Sequence, residues 1–140
     1  MMQYRNITGD KSYDEYIKGY ARHVISRVYT NGEILGYYIH PSFQNGQPLE
    51  VMNDEERKAT FSFYYPGEAL FGLGLFANNF KEDDLELVQE VRRIGEIALD
   101  WLVDERPKIY ADLFTALPSD AWLMQAIEEW AKDEHFRKEN

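Results

Sequence analysis

The 140-residue chain contains no cysteine, which removes disulfides, thiolate metal sites and cysteine nucleophiles and leaves nothing that requires an oxidising compartment. It has no uninterrupted apolar run of about eighteen residues, the length that reads as a membrane-spanning helix. Its opening stretch, MMQYRNITGDKSYDEY, lacks a basic region followed by an apolar one, so the chain reads as cytoplasmic and Asn6-Ile7-Thr8 carries no weight as a glycosylation sequon. Long proline, glycine or serine linkers, repeats and low-complexity segments are also missing, which predicts one domain spanning residues 1–140. Basic residues are scarce. Fifteen Lys and Arg face 25 Asp and Glu, a net charge of −10, and a field of that sign repels nucleic acid and anionic lipid while steering basic partners.

The acid is concentrated late: residues 81–140 hold sixteen acidic side chains against eight basic ones. Within them, residues 83–104 (DDLELVQEVRRIGEIALDWLVD) carry the longest clean helical pattern. At 100° per residue, Leu87, Val88, Val91, Ile94, Gly95, Ala98, Leu99, Trp101 and Leu102 share one side. Glu82, Glu86, Glu90, Glu96, Asp100 and Asp104 lie opposite, interrupted only by Arg93. Like charges four apart cost a helix roughly 0.2–0.5 kcal/mol a pair, so this stripe is carried against local helix stability.

The rest of the chain predicts an α+β fold, with a small antiparallel sheet of about three strands packed by an N-terminal helix and a helical C-terminal half. A Ser12-x-x-Glu15 capping box opens a helix over 12–28, with Tyr13, Tyr16, Ile17, Tyr20, Val24 and Ile25 at helical spacing, ending before Asn31-Gly32. Strands are expected at 34–40, at 49–52 and over 57–65, where Ala59, Phe61, Phe63 and Tyr65 alternate with more polar residues. Residues 66–80 read as a helix opened by Pro66, with Leu70, Leu73, Ala77 and Phe80 inward, or else as a further strand after a Pro66-Gly67 turn. Pro107 marks a fresh start for a short helix through Tyr110, Leu113, Phe114 and Leu117, stopped by Pro118. Ser119 or Asp120 caps a last helix with Leu123, Ile127, Trp130 and Ala131 apolar, and the tail HFRKEN is solvated.

No pattern points to catalysis, a metal or a cofactor, and a small hydrolase stays open only as a site assembled from distant residues such as His40, Tyr38 and carboxylates. Gly72-x-Gly74-x-x-Ala77 fits a loose dinucleotide fingerprint but lacks the crossover to a parallel strand, so it reads as helix packing through small residues. His23, His40 and His135 are far apart and form no ligand pair. The positive indication is a binding surface: Glu86, Glu90, Glu96, Asp100 and Asp104, joined by Tyr37, Tyr38 and Tyr64 as rigid amphipathic contact area. Asp54, Glu55 and Glu56, with Glu128, Glu129, Asp133 and Glu134, are expected to extend the acidic patch.

Three segments carry a resemblance. GYYIHPSF (36–43), EALFGLGLFA (68–77) and Arg106-Pro107 before an amphipathic helix are similar, in order and rough spacing, to the ArdB/KlcA antirestriction proteins. The likeness covers about half the chain, within roughly residues 36–117. It implies a small α/β fold and inhibition of a DNA-handling enzyme. In general character the chain also resembles bacterial toxin-immunity proteins, which are small, acidic and non-catalytic. Both point to a non-enzymatic inhibitor with one basic protein partner, either a toxin domain or a nucleic-acid-handling enzyme met by DNA mimicry.

Overall fold

A computed structural model describes residues 1–34, 65–112 and 120–139. In chain order these form α1 (Met2–Thr8), α2 (Asp14–Ile25), α3 (Pro66–Asn79), α4 (Leu85–Asp100), a π-turn (Trp101–Glu105), α5 (Arg106–Ile109), α6 (Ala121–Trp130) and α7 (Glu134–Glu139).

The expected α+β fold is overturned. Among the described residues the only β pairing is one isolated antiparallel bridge, Val28 to Ile34, and the core is helix against helix. The predicted strands at 34–40, 49–52 and 57–65 lie outside the described residues except for Ile34 and Tyr65, and Tyr65 is the helical N-cap of α3. The reason for the correction is that the apolar faces assigned to covering a sheet cover one another. α3 buries Leu70, Leu73, Phe76 and Ala77, and its most extensive neighbours are α6 and then α4.

Small residues set how closely these helices approach. A β-carbon on Gly67 would lie 2.4 Å from the Leu123 backbone nitrogen, so only glycine lets the start of α3 touch the first turn of α6. About two turns of α3 further on, Gly74 leaves room for Trp130, whose Nε1 donates to the Leu70 carbonyl at 2.9 Å. The other edge of the same indole lies over Gly95 of α4. Trp130, 1% exposed, is thus the wedge that α3, α4 and α6 share. Phe136 of α7 closes over it at 5.2 Å between ring centroids, so the tail read as solvated is helical and docks through this ring.

Two helix ends differ from expectation. Ser12 does not cap α2; its own N–H donates to Asp10 Oδ1 at 2.8 Å, and the helix opens two residues later. Pro107 does not begin a new helix. The chain runs on from α4 through the π-turn, where Arg106 N–H reaches back to the Trp101 carbonyl. Proline has no N–H to donate and crowds the carbonyl four residues back, and one widened turn absorbs that mismatch. At the start of α6 the cap is Asp120, one of the two residues expected there, accepting from Leu123 N–H at 2.9 Å. The Leu113, Phe114 and Leu117 helix falls outside the described residues.

Candidate partner-binding surface

α4 is aimed from both ends. At its start Asp84 accepts from the Leu87 N–H at 3.2 Å while its other oxygen meets Lys18 of α2 at 3.3 Å, so one carboxylate caps the helix and ties it to its neighbour. At its end Gly32, in the left-handed conformation at φ 91°, presses against Ile97 and Trp101, where a β-carbon would lie 2.2 Å from the Ile97 carbonyl oxygen. Between these points Leu87, Val88, Val91, Gly95, Ala98 and Leu99 are buried. The rotation of the helix is therefore determined, and with it the direction of the opposite face.

That face carries the predicted stripe. Glu86, Glu90, Asp100 and Asp104 are exposed, Glu96 is half-buried, and exposed Arg93 sits among them. None of the five carboxylates forms an ion pair among the described residues. The π-turn changes the lower end. A regular helix would turn Glu105 toward the core, yet it is exposed and pairs with Lys108 at 2.8 Å.

The acids predicted to widen the patch do something else. Asp133, 1% exposed, accepts both a 2.8 Å and a 3.0 Å bond from the Arg92 guanidinium. Burial pushes its carboxyl up, but Arg92 and the His135 N–H outweigh that and hold it below the usual range. Glu129, also buried, accepts from Asn78 at 2.9 Å and from Lys132 at 2.7 Å. Both are structural. Of the four C-terminal acids, Glu128 and Glu134 are exposed. Asp54, Glu55 and Glu56 lie outside the described residues, as do Tyr37, Tyr38, Tyr64 and His40.

Among the described residues a group of exposed tyrosines lies on α1 and at the start and outer side of α2. Tyr4, Tyr13, Tyr16 and Tyr20 are all exposed; Tyr4 meets Tyr13 edge-on at 6.0 Å and Tyr13 meets Tyr16 at 6.5 Å. The i, i+3, i+7 spacing of Tyr13, Tyr16 and Tyr20 marks one face, but the buried face is Ile17, Ala21 and Ile25, rotated from it. Spacing alone shows that the tyrosines align; which side of them is wet depends on where α3 and α4 pack.

Another centre is cationic. Arg5 pairs with Asp14 at 2.8 Å and with Asp83, and its guanidinium stacks 4.3 Å from the Phe80 ring centroid. Lys11 also pairs with Asp83, and together Lys11 and Arg5 hold that carboxyl below its ordinary range. Among the described residues no cluster of three or more His, Cys, Asp or Glu side chains is arranged to hold a metal ion, and no helix is long and apolar enough to cross a membrane. No family model, curated protein or solved structure matches the chain.

Proposed function

We propose that the protein is a non-enzymatic inhibitor that binds one basic protein partner through the outer face of α4, in the manner of a bacterial immunity protein neutralising a toxin domain. The observation that carries this reading is how the acid is sorted. Asp14, Asp83, Asp84, Asp120, Glu129 and Asp133 each meet a cation of the fold. Glu86, Glu90, Glu96 and Asp100 meet none among the described residues, on a helix whose rotation is locked. A carboxylate row left uncompensated on a rigid element is pre-organised for a basic surface and speeds encounter with it.

Mimicry of DNA by the same row, the activity that the antirestriction likeness implies, fits less well by charge density. Glu86 to Asp100 spans about 21 Å at 1.5 Å per residue. One DNA strand carries a phosphate about every 3.4 Å, roughly six over that length, whereas the row offers four carboxylates.

The test is affinity capture from lysate of the source organism at low salt with release at high salt, followed by association kinetics of the captured partner with the Glu86→Lys/Glu90→Lys double variant. The association rate should fall by about tenfold or more at low ionic strength and converge with wild type as salt rises. An unchanged rate removes the face from the interface. Duplex DNA that binds the partner simultaneously with the protein rules out mimicry.

A further inference from the structure

The first helix is held differently from the others. None of the residues of α1 is fully buried, no extensive helix–helix contact among the described residues includes it, and its one side chain packed against the hydrophobic core is Met2. Ile7 is 85% exposed. At seven residues, α1 is also well short of the roughly 12–15 that an isolated helix needs in water. It is helical because it is docked.

What docks it is polar. Half-buried Arg5 pairs with Asp14 at the start of α2 and with Asp83 in the α3–α4 connection, donates to the Asn79 carbonyl at 3.4 Å and stacks on the Phe80 ring. Beside it Asn6 Nδ2 donates to Asn79 Oδ1 at 2.7 Å. Behind this clasp is a hinge. Gly9 ends α1 in the left-handed conformation at φ 72°, and a β-carbon there would meet nothing within 4 Å among the described residues, so the glycine serves a turn of the backbone and no close approach. Ahead of the clasp, Met1 and Met2 form part of the lining of an apolar cleft of about 440 Å³ between α2 and α3, with Ile17 and Val24 on one wall and Leu73 and Phe76 on the other.

We propose that α1 is a releasable strap: it swings about Gly9 as a unit, and its hold through Arg5 on Asp14 and Asp83 decides whether the α2–α3 cleft is narrowed by Met1 and Met2 or open to solvent. The asymmetry of what holds each helix is the reason. α2, α3 and α4 are kept in place by apolar burial, whereas undocking α1 exposes little apolar surface and returns its ion pairs to water, where each charge is solvated again. Segments with few buried apolar contacts are the ones that open locally while the rest stays folded. The packing around Trp130 is untouched by such a release, and the outer face of α4 plays no part in it.

Native-state amide exchange on the full chain reads the release directly. The hydrogen-bonded amides of Arg5 and Gly9 should exchange at least about a hundredfold faster than the core amides of α3 and α4, and Arg5→Ala should speed them by about a further tenfold. Nile red, a neutral apolar dye, should bind Arg5→Ala several-fold more tightly than wild type. The chain has no cysteine of its own, so oxidised Asn6→Cys/Asn79→Cys carries a single disulfide that fastens the strap; it should bind the dye less than its reduced form. In Arg5→Ala the methyl resonances of Ile17, Val24 and Leu73 should shift while those of Val88 and Val91 in α4 stay, a readout that stands even if the disulfide forms poorly. Exchange of α1 at the rate of α3 and α4, equal dye affinity in wild type and Arg5→Ala, or methyl shifts spread evenly into α4 overturns the proposal. Failure of the Glu86→Lys/Glu90→Lys experiment would leave these outcomes untouched, so the two readings fail separately.

Discussion

A β-carbon on Gly95 would come within 2.4 Å of Cη2 of Trp130, so the central helix and the last long helix touch through a residue that has no side chain. The indole cannot swing aside, because its Nε1 is bound to the Leu70 carbonyl and it is buried. Gly95→Ala gains about 1 kcal/mol of helix propensity but overpacks a rigid ring, which costs about 1–3 kcal/mol. The expected result is no gain and a net loss of up to about 2 kcal/mol in denaturant unfolding. Gly19→Ala in α2, where a β-carbon meets nothing within 4 Å among the described residues, should raise stability by about 0.5–1 kcal/mol. If the two variants behave alike, the Gly95 to Trp130 contact is not what holds α4 against α6.

Asp133 supplies a pH dependence of known sign. Its folded-state carboxyl titrates below the ordinary value, so the stability it contributes is complete above the unfolded-state value of about 3.9 and is lost as pH falls through the lower, folded one. Thermal midpoints measured from pH 6 down to pH 2.5 should therefore fall more steeply for wild type than for Asp133→Asn. At neutral pH the variant should be less stable by about 3 kcal/mol, because Arg92 loses its buried partner.

Arg5 ties α1 to the start of α2 through Asp14 and to the α3–α4 connection through Asp83 and the Phe80 ring. Arg5→Ala should release Met2–Thr8 first, seen as faster amide exchange in that helix with only a few degrees' change in the global midpoint. Arg5→Lys should not restore protection, since an ammonium cannot make the forked contact and stack on the ring together. Uniform loss of protection across all helices would contradict this local role.

The outer face of α4 should be dispensable for folding. Glu86→Gln/Glu90→Gln removes a like-charge pair at i, i+4 and touches no ion pair among the described residues, so the thermal midpoint should stay level or rise slightly, most visibly at low salt. A marked fall would show that these carboxylates serve the fold.

Much of α3 and α4 is legible from periodicity. Leu70, Leu73, Ala77 and Phe80 were expected inward and are buried, and the core and acid sides of α4 lie where a 100° projection puts them. A long amphipathic pattern determines its own wet and dry sides, and Pro66 and Asn79 bound α3 by local chemistry. Shorter patterns fail. Ile127 is 38% exposed while Ala126 is fully buried, because α6 is rotated by the need to place Trp130 between two glycines. The continuation of α4 through Pro107 was equally unreadable, since a π-turn has no residue pattern of its own.

From the sequence by itself, the acidity of the chain, the helix and inner face of α4 and the carboxylate row along it are readable from neighbours within one or two turns, whereas residues 66–80 left helix and strand both open until packing settled them as helix. Only tertiary structure decided which acids are spent inside the fold. Glu129 and Asp133 sit among charged residues in sequence, like Glu86 and Glu90, yet Asn78, Lys132 and Arg92 claim them. Two of those partners, Asn78 and Arg92, lie 51 and 41 residues away. A side chain's charge is written in its own residue, but whether that charge is paired depends on what the packed helices bring beside it.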